Sequence, residues 1–427
     1  MATQAEATAM LETLAAWEYF SDSKWRDRVT RIVNDVLRKL RNARSVPPNS
    51  RVALLCQLHG AQSGFSDSLP GNVMASLTAI IEAHAVLQKH ATATRREVEH
   101  VSRAASSSIP ESLRAELRTI TETSSPYNSP STSSRLLRGQ VLSVIEDRAS
   151  ALKEFRTALS SGPELIKSLY LDMGAFTYGF PEPSADGKKV DICWHGGDAS
   201  EDARVTILYS ANVEFLRRYL ARIIFYAATE PKLQLHFHVV APEREALDFI
   251  REAKELARTI HGFSHRSSKL PALSWSSSSL PAGVGNPITY YACARYLVAR
   301  QVMDKFGTDV WIQDVDLYPI SPISDSYSEL AEFDVVVAAS TGINMLAPWR
   351  RYIANNVFFA RSDKGRQFAA SAADYIWAFL DQPNSWMLDQ NALDWAVETA
   401  RPATAIGNMR ALNIALTQSG MNGAIES

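Results

Sequence analysis

Two aspartates one residue apart, Asp314 and Asp316, end an apolar run in the segment Asp309-Val-Trp-Ile-Gln-Asp-Val-Asp-Leu-Tyr-Pro319. In an extended chain, side chains two apart point the same way. Both carboxylates would then face one side, with Val315 packed behind them. Ligands of open α/β sheets bind outside the carboxyl ends of strands, and this pair stands at such an end. Close carboxylates repel each other unless a cation lies between them. Mg²⁺ or Mn²⁺ suits carboxylate oxygens and usually keeps phosphate partners. The chemistry expected is a divalent ion bridging protein and diphosphate. The plainer alternative is a pair of surface acids in the turn before Pro319.

Other chemistries fit less well. Phosphatases with an aspartate nucleophile want Thr or Val two residues after the second Asp, where this chain has Tyr318. A Walker GxxxxGK[ST] loop is absent. Gly283-Val-Gly285 starts a dinucleotide fingerprint, but Ile288 stands where its third glycine belongs and Pro287 precedes it. No GxSxG nucleophile elbow occurs. His236 and His238 lie two apart on a candidate strand, as a metal pair would, but a half-polar strand face explains them as well. The serine run Ser276–Ser279 before Pro281 reads as a loop near the site.

These residues need elements to hold them. Val205–Tyr209 is a short β-branched, apolar run, as a buried strand should be. Phe215, Leu216, Tyr219, Leu220, Ile223 and Ile224 follow at helical spacing, with Arg217, Arg218 and Arg222 off the stripe. Leu233–Val240 alternates like a strand, a helix is expected around Ala246–Leu256 and another over about Ile288–Phe306, and then comes the run Val310-Trp-Ile. Such alternation implies a mostly parallel, doubly wound α/β sheet with helices on both faces. Before it, residues 1–180 read as an α-helical region. Its stripes run through Trp25–Leu40, Val73–Leu87 (with His84 as a core or boundary histidine) and Leu137–Phe155. A Ser/Pro-rich stretch near 106–134, densest at 124–134, reads as a mobile loop. Pro181, Pro183 and Gly187 mark a linker, so the second domain is expected over 186–427.

The chain has 427 residues, 46% hydrophobic and 21% charged, enough for two or three domains with full cores. Lys plus Arg is 44 against 46 Asp plus Glu, a balance that argues against nucleic acid as partner. Three scattered cysteines, Cys56, Cys193 and Cys293, make no disulfide framework and read as reduced, mostly core-filling thiols. The first twenty residues carry acids and no Lys or Arg, unlike a secretory signal, and no apolar stretch is long enough to span a membrane. A cytoplasmic protein is expected.

In several motifs the chain resembles the GT-A fold nucleotide-diphospho-sugar transferases, in particular the glycogenin-like and bacterial galactosyltransferase-like group. The motifs run in order: Val205-Thr-Ile-Leu-Tyr-Ser-Ala-Asn212, Tyr291-Ala-Cys-Ala-Arg295, Val310-Trp-Ile-Gln-Asp314-Val-Asp316, Phe333-Asp-Val-Val-Val337, Asn355-Asn-Val-Phe-Phe-Ala-Arg-Ser362 with Gly365 and Phe368, and Trp386-Met-Leu-Asp389-Gln390-Asn-Ala-Leu393. The resemblance implies a GT-A-like fold and metal-dependent glycosyl transfer from a nucleotide sugar, with a UDP-sugar as donor, to an unknown acceptor (glycan, lipid or protein). It implies that Asp314 and Asp316 hold Mn²⁺ or Mg²⁺ against the diphosphate and that Arg295 lies near the donor. Ser210, Ala211 and Asn212 would cradle the base, and Asn355 or Asn356 would reach the sugar. Gln390 would face the anomeric carbon of a retaining reaction, while Asp389 as a base would give inversion. The bland reading of Asp389 is a first-turn acid of a helix.

This sequence departs from the group at two points. It reads Ala-Asn-Asn-Val where Asn-x-Gly-Val is usual, and it has no late histidine to complete the metal shell, His265 being the last; water or Asn413 would substitute. Trp349, Trp377 and Trp386 could stack on sugars, though core packing is their commoner job. The rival readings are a catalytically decayed binding or scaffold protein, whose N-terminal helices bind a partner or a second copy, and a nucleotidyltransferase.

Overall fold

The second half of the chain builds an eight-stranded mixed sheet from short, apolar, β-branched runs. The computed structural model describes residues 148–161, 188–197, 203–227, 233–263, 272–319, 323–339, 348–382, 387–400, 404–409 and 416–418, with isolated helical positions between 135 and 143. The stripes at Trp25–Leu40 and Val73–Leu87, the Ser/Pro-rich stretch, the expected linker before Lys188, Cys56, Trp386 and Asn413 lie outside the described residues. The described residues up to 161, together with 348–351, belong to one unit; those from 188 to 339 and from 352 onward belong to another. In the first unit, helix α1 (Arg148–Ser161) buries Ala151, Leu152 and Phe155, the end of the 137–155 stripe. Phe155 meets Trp349 edge-on at 5.1 Å, so Trp349 is a core residue.

The second unit runs β1 (Cys193–Trp194), β2 (Val205–Ala211), α2 (Val213–Ala227), β3 (Gln234–Val240), α3 (Glu243–Phe263), β4 (Ala272–Ser278), α4 (Pro287–Phe306), β5 (Asp309–Gln313), β6 (Leu317–Pro319), α5 (Ile323–Leu330) and β7 (Val335–Ala339). The short helix α6 (Pro348–Arg351), which groups with the first unit, intervenes. Then come β8 (Tyr352–Phe359), α7 (Asp363–Phe379), α8 (Leu388–Ala400), β9 (Ile406–Asn408) and β10 (Leu416–Gln418). The sheet order is β1-β4-β3-β2-β5-β8-β7-β9, and β10 pairs separately with β6. Four of the seven pairings in the large sheet are parallel. The expected α/β architecture with a mostly parallel sheet is the one observed. Among the described residues no helix is long and apolar enough to cross a membrane.

Alternation sorts the side chains to the two faces. Val205, Ile207, Tyr209 and Ala211 of β2, with Leu235, Phe237 and Val239 of β3, join Leu216, Leu220, Ile223 and Ile224 of α2 and Phe249 and Ile250 of α3 in one core. Each large apolar side chain so buried contributes about 1.5–3 kcal/mol. Helix α4 packs against β2 and β5 with Tyr290, Cys293, Ala294, Leu297, Val298 and Val302 buried, outside that core, so helices cover both faces. Its ends are specified locally. Asn286 accepts the Ile288 N–H on its side chain, Pro287 fills the first turn, and Gly307 closes the helix at φ 65°, a left-handed cap that costs glycine nothing.

The serine run contradicts the loop expected for it. Ser276, Ser277 and Ser278 lie inside β4 and are almost fully buried. The reason is a polar ladder across β3 and β4, where register sets His236 opposite Ser274 and His238 opposite Ser276. Ser274 Oγ donates to the Leu235 carbonyl (3.1 Å), and His236 Nδ1 lies 2.9 Å from Ser274 Oγ. His236 Nε2 and His238 Nδ1 both lie 2.8 Å from Ser276 Oγ, and His238 Nε2 lies 3.0 Å from Ser278 Oγ. Because the Ser274 proton is committed to a carbonyl, His236 must donate from Nδ1. Ser276 Oγ then donates to His236 Nε2 and accepts from His238 Nδ1–H, and Ser278 Oγ donates to His238 Nε2. All ring nitrogens are used, so the His236/His238 pair is a buried structural ladder rather than a metal pair. Trp194 covers one end, its ring 5.3 Å from that of His236. Its neighbour Cys193 is exposed rather than core-filling, whereas Cys293 is buried.

Candidate functional site

Strand order fixes where a ligand can enter. From β2 the chain winds outward through β3 to β4, then returns through α4 to β5 on the other side of β2. The two directions part between β2 and β5, and a crevice opens there beyond the carboxyl ends of the strands. A cavity of about 690 Å³ occupies that position. Its lining includes Ser210, Ala211 and Asn212 after β2, Arg295 of α4, Asp314, Val315 and Asp316 after β5, Asn355 of β8, and Asp389 and Gln390 of α8.

Nine of the ten residues singled out from the sequence therefore meet at one cavity. The exception is Asn356, which accepts a hydrogen bond from the Trp311 indole N–H and is buried away from the cavity. Adjacent residues of a strand face opposite ways, so of the two asparagines only Asn355 lines the space. Neither Trp349 nor Trp377 lines it.

The pair does not lie on one extended strand, because Val315 and Asp316 are the central residues of a turn that Asp314 opens. The Leu317 N–H returns to the Asp314 carbonyl (3.0 Å), making a tight turn, while the Asp314 N–H donates to the Asn355 carbonyl (2.9 Å). Val315 stays in the core and both acids still reach the cavity. Arg295, almost fully buried, joins the parts. Its Nη1 lies 2.6 Å from Asp314 Oδ1, and its Nη2 donates to Asp389 Oδ2 (3.1 Å) and to the Ala354 carbonyl (3.2 Å). Asp389 Oδ1 also accepts the Gln390 N–H (2.9 Å) at the first turn of α8, which is the first-turn role its sequence context suggests.

The electrostatics follow from burial. Desolvation pushes the Asp314 carboxyl up to about 6; Arg295 opposes this, while Asp316 and Asp389 add to it. Burial likewise raises Asp389 above the usual carboxylate range against the pull of Arg295. For Arg295, burial works against the charged form, but Asp314, Tyr296 and Asp389 outweigh it and hold the guanidinium charged. Four carboxylates (Glu214, Asp314, Asp316 and Asp389) face the cavity against one guanidinium. A diphosphate entering this space meets net negative charge.

Such a donor set suits a hard cation. Asp314 and Asp316 offer oxygens from one short segment, as Mg²⁺ or Mn²⁺ prefers. Among the described residues, however, no group of three or more His, Cys, Asp or Glu is arranged as a complete metal site. The protein would supply part of the shell and a phosphate ligand the rest.

Sequence reasoning missed Thr289, whose Oγ1 is buried in the lining without a hydrogen-bond partner, as is the Oγ of Ser210, which it had singled out. Phe215, Ile288, Tyr291 and Met387 complete the wall. The signal for Thr289 is its place in the first turn of α4, two residues after Pro287.

No protein-family model matches this chain, and no curated protein matches it. Among solved structures, that of mouse xyloside xylosyltransferase 1 in its apo form is similar over 43% of this chain and 81% of its own, at 13% identity and a TM-score of 0.26.

Proposed function

We propose that the cavity binds a nucleotide-diphospho-sugar, a UDP-sugar in the first instance, together with Mn²⁺ or Mg²⁺, and transfers the sugar to an acceptor. The observation that carries this reading is the meeting of Asp314, Asp316, Arg295, Asp389 and Gln390 at the switch point of the sheet. Charge supports it: an acidic cavity admits a diphosphate only with a cation between them.

Breaking the sugar–phosphate bond leaves negative charge on the diphosphate and a sugar resembling an oxocarbenium ion. A divalent ion, when bound, neutralises the leaving group. Asp314 and Asp316 would hold that ion. Arg295 keeps Asp314 and Asp389 in fixed positions, and the Asn355 side chain is available to the sugar. The Gln390 amide oxygen can face the anomeric carbon without competing for protons, which fits retention better than a role for Asp389 as base, because both Asp389 oxygens already accept hydrogen bonds. Purified protein with Mn²⁺ is expected to hydrolyse or transfer from a UDP-sugar, and Asp316→Ala to lose that turnover while staying folded. Unchanged turnover in this variant would remove the site assignment.

Two observations favour the rival reading of a decayed binding protein. Asp314 is already neutralised by Arg295 at 2.6 Å, and the late histidine is missing. A thermal shift with UDP plus Mn²⁺, against either alone, separates the two: a decayed site gives none. A nucleotidyltransferase would instead incorporate nucleotide from an NTP.

A further inference from the structure

Met387 is the one non-glycine residue with positive φ (58°) among the described residues. A residue with a Cβ is strained in the left-handed region, where glycine or asparagine is usual. The backbone holds the turn because the Met387 carbonyl accepts two hydrogen bonds from Asn391, one from its N–H (3.1 Å) and one from its side-chain Nδ2 (2.8 Å). Glycine would make both bonds without strain. The reason for methionine must therefore lie in its side chain.

That side chain lines the cavity, as does Gln390, and its sulfur accepts from Gln390 Nε2 at 3.1 Å. A thioether offers lone pairs and no proton, so it can receive the NH₂ end of an amide and not the carbonyl end. An amide is planar, so pinning its nitrogen sets the direction of its oxygen. We infer that Met387 is a positioning residue that selects which end of the Gln390 amide is presented to the ligand. This rests on the sugar-transfer reading in one respect: the carbonyl oxygen is the end able to face a cationic sugar.

The test uses the full chain and two variants. Met387→Leu keeps the bulk and the left-handed turn but lacks the acceptor. Met387→Gly lacks both the acceptor and the strain. With glutamine side chains labelled by ¹⁵N, and the Gln390 signal assigned by its loss in Gln390→Leu, the Gln390 amide resonance is expected to move in both variants. Met387→Gly is expected to melt no lower than the parent. With a turned-over UDP-sugar, kcat should fall about tenfold in both variants while KM changes less than twofold. An unmoved Gln390 resonance, or full kcat in Met387→Leu, overturns the inference. If the parent turns over no nucleotide sugar, the transfer reading fails, and the resonance alone decides whether Met387 orients the amide.

Discussion

Asp314 Oδ1 lies 2.6 Å from Arg295 Nη1, and the second nitrogen of the same guanidinium reaches Asp389. One side chain thus ties the acid after β5 to the first turn of α8. The planar fork of arginine suits this double attachment, whereas a lysine ammonium is a single point charge that cannot reproduce it.

Arg295→Ala should therefore be strongly destabilising, because it leaves Asp314 and Asp389 close together and unpaired. Breaking a buried ion pair from one side costs about 3–5 kcal/mol, and the partial exposure of Asp314 places this case near the lower end. Urea denaturation would check this. A midpoint within error of the parent would mean that the bridge holds nothing together.

Asp316→Ala should behave differently. Asp316 lies half-buried in the turn after β5, while the neighbouring Val315 makes the core contacts. Stability should change by less than about 1 kcal/mol, and stabilisation by UDP plus Mn²⁺ should disappear. Comparing melting curves with and without these ligands separates the two effects. A large loss of stability without ligand would show that the acid is structural.

The His236/His238 ladder predicts a pH dependence. Burial, with a smaller push from His195, lowers His238 to about 3; burial, with a smaller push from His238, holds His236 well below the usual range. Both rings are neutral in the folded protein, whereas the unfolded chain takes up protons below about 6.5. The folded state then binds fewer protons, so the contribution of the ladder is fully present above 6.5 and is lost as pH falls. For His238 alone the loss at pH 5 is about 2 kcal/mol. Urea midpoints from pH 7.5 to 5 should fall, and His238→Gln should flatten that slope. An identical slope in the variant would exclude the ladder as its source.

Gly197 seals the outer strand that covers this ladder. It has φ 95°, and a Cβ there would lie 2.5 Å from the Ser274 Cα and 2.6 Å from the Leu273 carbonyl oxygen. Gly197→Ala combines backbone strain with an overlap against backbone, and should cost about 2 kcal/mol or more. Thermal denaturation would check it. Gly196, at a similar φ with open space around its Cβ, serves as the control for strain alone.

The sequence by itself determined several of the strands and helices of the second unit and their order. Apolar spacing is a property of neighbours along the chain, so the strand Val205–Tyr209, the helical stripe from Phe215 to Ile224 and the helix over about Ile288–Phe306 could be found from the chain alone, and an acid pair after an apolar run could be placed at a strand end. What only the tertiary structure decided are relationships between distant segments. Ser276 and Ser278 read as loop until His236 and His238, about forty residues earlier, are set beside them by strand register. Arg295 reads as a donor contact until Asp389, 94 residues later, closes on it. Asn355 and Asn356 are alike in sequence, and only the facing strand β5 turns one to the cavity and the other to Trp311. Periodicity reports which face of an element is buried; it does not report what the buried face will meet.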